Sequence, residues 1–286
     1  MKIDEAPLLI AGDVFDDPAE SVAIVNKILS LLIDVRTPIY AIPGQHDLPF
    51  HSLDNIGKSP YRTLNFLPAF TDLFEKTDPL SDIHLFGFPW KDSYGAEGAG
   101  PELAKEVEDR YPLALRRKSK PSIAVVHAYC HNDDRTHPGA TPQNHYAAYR
   151  ELFEGFDFVV FGDNHTPFVV EEKSTSKYPT IVNCGGVFNR NRSEAGVKRF
   201  LYQLFVDKSV KSIPINDPSK EVWADKAEDN PEPVNGEEWK SLSTTLHDTF
   251  HSTKAVVENY KAAVASLEKD MKQRLMDIFR EAKKGD

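Results

Sequence analysis

Four short apolar runs in this chain each end in polar residues of the same few types. Pro7–Ala11 leads into Gly12-Asp13-Val14-Phe15-Asp16, and Ile39–Ile42 leads into Gly44-Gln45-His46-Asp47. Ile123–Val126 leads into His127, and Phe156–Phe161 leads into Gly162-Asp163-Asn164-His165. Runs this short, closed by glycine and polar residues, have the length of buried strands. Open α/β sheets collect their chemistry beyond the carboxyl ends of such strands. The pattern therefore predicts one sheet edge carrying carboxylates, imidazoles and an amide.

What lies between the runs sets the architecture. Asp17-Pro18-Ala19-Glu20 has the form of a helix start, with Asp at the cap and Pro in the first turn. Val22, Val25, Ile28, Leu29 and Leu32 then recur at helical spacing, and Thr37-Pro38 closes the element. Strand, helix, strand is how a parallel sheet grows. Ile83–Phe88, Ile123–Val126 and Phe156–Phe161 continue the strands, with helical stretches such as Gln143–Phe153 between them. Past His165 the rhythm changes. Phe168–Val170, Thr180–Val182, Phe200–Val206 and Val210–Ile215 follow without helices, as antiparallel hairpins do. The expected fold is a layered α/β/β/α sandwich of mixed sheets, spanning residues 1–215.

Residues 216–236 hold three prolines and many acids, with no apolar period, and read as a linker. Residues 237–286 read as amphipathic helix. Trp239, Leu242, Leu246, Phe250, Val257, Tyr260, Val264, Leu267, Met271, Leu275 and Ile278 form an apolar seam. The commoner reading is a helix pair packed on its own domain. The sharper one is a coiled-coil seam for a partner helix or a second copy.

The net charge of −10 argues against a large basic surface for nucleic acid, without excluding it. Cys130 and Cys184 are too few for a disulfide framework, which favours a reducing, cytoplasmic compartment. There is no signal peptide, and no apolar run has membrane-spanning length.

The residue types at the strand ends suit phosphate ester cleavage. That reaction needs charge neutralisation on the phosphoryl oxygens, a nucleophilic hydroxide and a proton for the leaving group. Two divalent metals supply the first two when a carboxylate bridges them and imidazole, carboxylate or amide atoms complete each sphere. Asp13 is placed to bridge. Gln45, His127 and Asp163 would complete one sphere with it, and His165 belongs with Asp13 on the other. His46 is the candidate general acid, its ring oriented by Asp47. Each piece alone is a common turn or a structural histidine. Four in this order, all at strand ends, point to one site.

These residues resemble the calcineurin-like metallophosphoesterases, and within them the SbcD-like nuclease branch, including phage versions. Gly12-Asp13-Val14-Phe15-Asp16 is similar to that family's GDxxD motif, Gly44-Gln45-His46-Asp47 to GNHD, and Gly162-Asp163-Asn164-His165 to GHxH. His127 matches its lone histidine, and Asn183-Cys184-Gly185-Gly186 a late strand-and-glycine turn. The resemblance implies a DNA exonuclease or endonuclease with two divalent metals, DNA repair as its setting, and an SbcC/Rad50-like coiled-coil ATPase as partner.

Three departures stand out. Gln45 replaces Asn and Asp163 replaces His, which favours Mn or Mg over Zn, with Fe a further candidate. The family's first D-x-H motif is absent: Lys2-Ile3-Asp4-Glu5 does not match it, and only twelve residues precede Asp13. The expectation is a site in which one metal is poorly held, or is completed from upstream or by another chain. The rival readings are a metal-binding interaction module with weak catalysis, and a phosphoesterase for small nucleotides. Among remaining polar residues, Arg190, Arg192 and Lys198 read as a weak substrate-binding cluster that would steer phosphates, or equally as a solvated face. His51 and Arg62 read mainly as exposed loop residues, and His247 and His251 as surface residues. His131, Asp133, Asp134 and His137 read as a solvated loop that would at best lend a ligand.

Overall fold

The computed structural model describes residues 6–74, 83–113, 120–132, 140–187 and 197–215. The expected linker at 216–236 and the helical segment at 237–286 lie outside the described residues.

Three parallel strands, β1 (Leu8–Ile10), β2 (Ile39–Ala41) and β3 (Phe70–Asp72), form the first sheet in the order β1-β2-β3. Helix α1 (Val22–Leu32) joins β1 to β2. The second sheet has five strands: β4 (His84–Phe88), β5 (Ser122–His127), β6 (Phe158–Gly162), β7 (Phe168–Val170) and β8 (Thr180–Asn183). Their order is β4-β5-β6-β8-β7, all parallel except β7, which pairs antiparallel with β8. Helices α2 (Asp92–Glu97), α3 (Pro101–Arg110) and α4 (Tyr146–Leu152) belong to its crossovers. Strands β9 (Arg199–Leu204) and β10 (Val210–Ile215) make a separate antiparallel hairpin.

Period-two alternation produces the layers. Ile123, Val125, Phe158 and Val160 of the second sheet pack with Tyr40, Ile42 and Leu73 of the first, so the two sheets face each other. Ala124, Val126, Val159 and Phe161 point the other way, onto Leu103, Val107, Tyr149 and Phe153 of the helical layer. On the far side of the first sheet, Ile39 and Ala41 pack with Val25, Tyr61 and Leu64. This is the α/β/β/α order that the sequence predicts.

Two local expectations change. The helix after β1 starts four residues later than Asp17 suggests. Asp17 accepts from Ala19 N (2.7 Å) within a turn, and Ser21 caps α1 through Ile24 N (3.3 Å). A short polar side chain bonding two residues on makes a turn more readily than a cap. The Gln143–Phe153 helix divides into a 3-10 turn at Pro142–Asn144, opened by a capping box between Thr141 and Asn144, and α4, which has its own cap in His145. Between β2 and β3 the chain runs through three 3-10 segments, Pro49–His51, Leu53–Lys58 and Pro60–Phe66. Among the described residues, no helix is long and apolar enough to cross a membrane. Cys130 and Cys184 are free thiols.

Candidate metal centre

The polar ends of β1, β2, β5 and β6 meet where the two sheets face each other. His127 closes β5 and is buried. Its Nδ1 donates to Ala11 O across the sheet interface (2.6 Å). A carbonyl can only accept, so Nδ1 keeps its proton and Nε2 is the atom left for a ligand. Nε2 is buried, makes no hydrogen bond, and stands 3.5 Å from Asp13 Oδ2. Burial opposes a charge on this imidazole, but the Asp13 carboxylate outweighs it and pushes the pKa up to about 9. Burial likewise opposes ionisation of Asp13, yet His127 and the His46 amide hold its pKa below the usual range.

Three glycines make this approach fit. A Cβ on Gly12 would fall on the His127 ring, one on Gly44 on Asp13 and His127, and one on Gly162 on Ala11 O and His127. The glycine that precedes each ligand type in the sequence thus has one shared cause: backbone must pass within side-chain distance of His127. Asp13 (φ 52°) and Asp163 (φ 82°) both take the left-handed conformation, which aspartate tolerates better than bulkier residues.

Asp163 sits on the loop after β6. Burial raises its pKa, as does Asp13, while His127 pulls it down. Its Oδ1 accepts from Gln45 Nε2 (3.0 Å). Gln45 therefore meets Asp163 through its amide nitrogen, whereas a ligand role would use its oxygen. His46 donates its main-chain N–H to Asp13 Oδ1 (2.9 Å), and its ring is partly exposed. His165 is also partly exposed and lowers the pKa of Asp163 through its charge.

Asp47 has backbone partners that the sequence reading did not include. Its carboxylate accepts from Gly44 N (2.9 Å), Phe15 N (2.9 Å) and Val14 N (3.2 Å). It clamps the loop after β1 to the loop after β2 and is buried. Burial, with help from Asp13, overrides the three amides and pushes its pKa up to about 6.

Arg199 and Trp90 escaped the sequence reading, and Asn183 entered it only as part of a late turn. Arg199 is a buried arginine at the start of β9, and its Nη1 donates to His165 O (2.6 Å). Asn183 Nδ2 donates to Asn164 O (2.8 Å) and Thr166 O (2.7 Å), so the loop carrying His165 is held from both sides. Trp90 stands edge-on to His127, with ring centroids 6.2 Å apart and its indole N–H buried. An arginine opening an amphipathic strand, or a tryptophan after one, carries no sequence sign of such a post. Lys198 is exposed, and Arg190 and Arg192 lie outside the described residues. His131 is buried, with Nε2 on Thr141 O (3.1 Å); Asp133, Asp134 and His137 lie outside the described residues.

The donors come together as two pairs, Asp13–His127 and Gln45–Asp163. Among the described residues, no three His, Cys, Asp or Glu side chains form a preassembled cluster. The orphaned His127 Nε2 facing a carboxylate, with a second carboxylate near, still fits a divalent ion, since a cation would satisfy all three. No curated protein matches the chain. The calcineurin-like phosphoesterase model matches residues 3–167, more than half of the sequence and every strand that ends at this centre. Members generally bind two divalent metals and hydrolyse phosphoesters with them. On that match and on a centre built where the fold demands it, the chain belongs to the calcineurin-like phosphoesterase family.

Proposed function

We propose that this chain is a metal-dependent phosphodiesterase acting on DNA, a nuclease of the SbcD type. Asp13, Gln45, His127 and Asp163 would hold one divalent ion, and Asp13 with His165 would contribute to a second. Mn is the favoured metal, because two carboxylates and an amide oxygen outnumber the imidazole in the first sphere. Such ions, when bound, neutralise phosphoryl charge and make hydroxide available near neutral pH. The protein's own part is to orient and to supply a proton. Attack of hydroxide on phosphorus breaks the bond to the leaving oxygen, and His46 protonates that oxygen. Asp47 keeps the two loops in register so that His46 stays beside Asp13.

The supporting observation is the bond from His46 N to Asp13 Oδ1, which fastens a partly exposed imidazole next to the proposed bridging carboxylate. An SbcC/Rad50-like coiled-coil ATPase, or a second copy of the chain, is the proposed partner of the apolar seam in 237–286. Mn-dependent hydrolysis of bis-p-nitrophenyl phosphate and of single-stranded DNA should both fall by roughly 10²–10⁴ in His46→Ala. Unchanged turnover in that variant refutes the assigned role.

A further inference from the structure

The turn that follows Asp47 moves from core to solvent within three residues. Asp47 and Leu48 are fully buried, whereas Phe50 is 87% exposed. Phe50 (φ 57°, ψ 25°) and His51 (φ 52°) are both in the left-handed region. A bulky residue such as Phe50 is an outlier there and persists only where the surroundings impose it. Those surroundings are visible. Pro49 fixes the entry, His51 N donates to Leu48 O (2.9 Å), and Ser59 Oγ donates to Asp47 O behind the turn. Glycine or asparagine would adopt this conformation with less strain. Phenylalanine gains nothing from burial here, so packing does not account for it.

The position does account for it. The His51 ring lies 6.4 Å from the His46 ring, edge-on at 62°. His46, His51 and Phe50 therefore lead outward from the proposed general acid. We infer that Phe50, with His51 beside it, is a stacking platform for a nucleobase next to the scissile phosphate. This rests on the nuclease reading above and adds the substrate contact. Stacking suits the chain's charge. A net charge of −10 argues against a broad basic surface for phosphates, and base–aromatic contact supplies affinity that tolerates any sequence.

The test compares a short oligothymidylate with an abasic strand of equal length, as substrates of the full chain in Mn²⁺. Wild type should show a lower KM for the base-bearing strand. Phe50→Ala should reduce that preference roughly tenfold, the loss of about one stacked base, and Phe50→Trp should restore it. Phe50→Gly should lose the preference while melting no lower than wild type, because it relieves the left-handed turn. A preference unchanged in Phe50→Ala overturns the platform and leaves the nuclease reading standing. Failure of wild type to cleave either strand overturns both.

Discussion

The floor of the site and its rim both use left-handed backbone, but with different residues. On the floor, Gly12, Asp13 and Asp163 take positive φ, and these types bear it at little cost. On the rim the same conformation falls on Phe50, which does not, with His51 next to it. The floor takes this conformation because backbone must crowd round a buried imidazole. At the rim the Phe50 side chain is exposed, and that contrast turns attention from packing to ligand.

Breaking the clamp between the two regions should have the largest effect on stability. Asp47→Ala removes an acceptor from three backbone amides and should destabilise the chain by about 3 kcal/mol. Urea melts measure this, and activity should fall because the His46 loop loses its tie to the Asp13 loop. A smaller effect should come from the floor alone. Gly44→Ala puts a methyl against Asp13 and His127, and overpacking of this kind costs about 1–3 kcal/mol. Its diagnostic readout is Mn affinity, which should drop more than stability does. If Gly44→Ala binds Mn normally, the crowding of the floor is not what shapes the metal site.

Much of this was legible in the sequence for a physical reason. A buried strand alternates faces, so Ile123–Val126 and Phe156–Phe161 announce themselves, and their ends locate Asp163, His165 and His127. The glycines before the ligand types were visible too, though only the structure shows that all three yield to one imidazole. Segments without a period were not legible. β3 is three residues long, and the 3-10 stretch from Pro49 to Phe66 follows neither the helical nor the strand repeat. Arg199 reads as a surface cation until β9 is seen to place it under His165. The adjacency of Asp47 to His46 suggests a ring-orienting role but gives no sign that its carboxylate also accepts from the amides of Gly44, Val14 and Phe15.

The central claim is that Asp13 and His127 await a divalent ion. In the metal-free chain their ion pair contributes stability that is full below about pH 6.5, the unfolded value of histidine. That contribution is lost as pH rises through about 9. At pH 7.5 the metal must therefore displace a proton from His127 Nε2. Titration of Mn²⁺ into the metal-free chain by calorimetry, in two buffers of different ionisation enthalpy, counts ions and protons together. The account predicts at least one ion bound per chain, with about one proton released, and loss of both in His127→Ala. An undiminished binding isotherm in His127→Ala, or none at all in wild type, would contradict it.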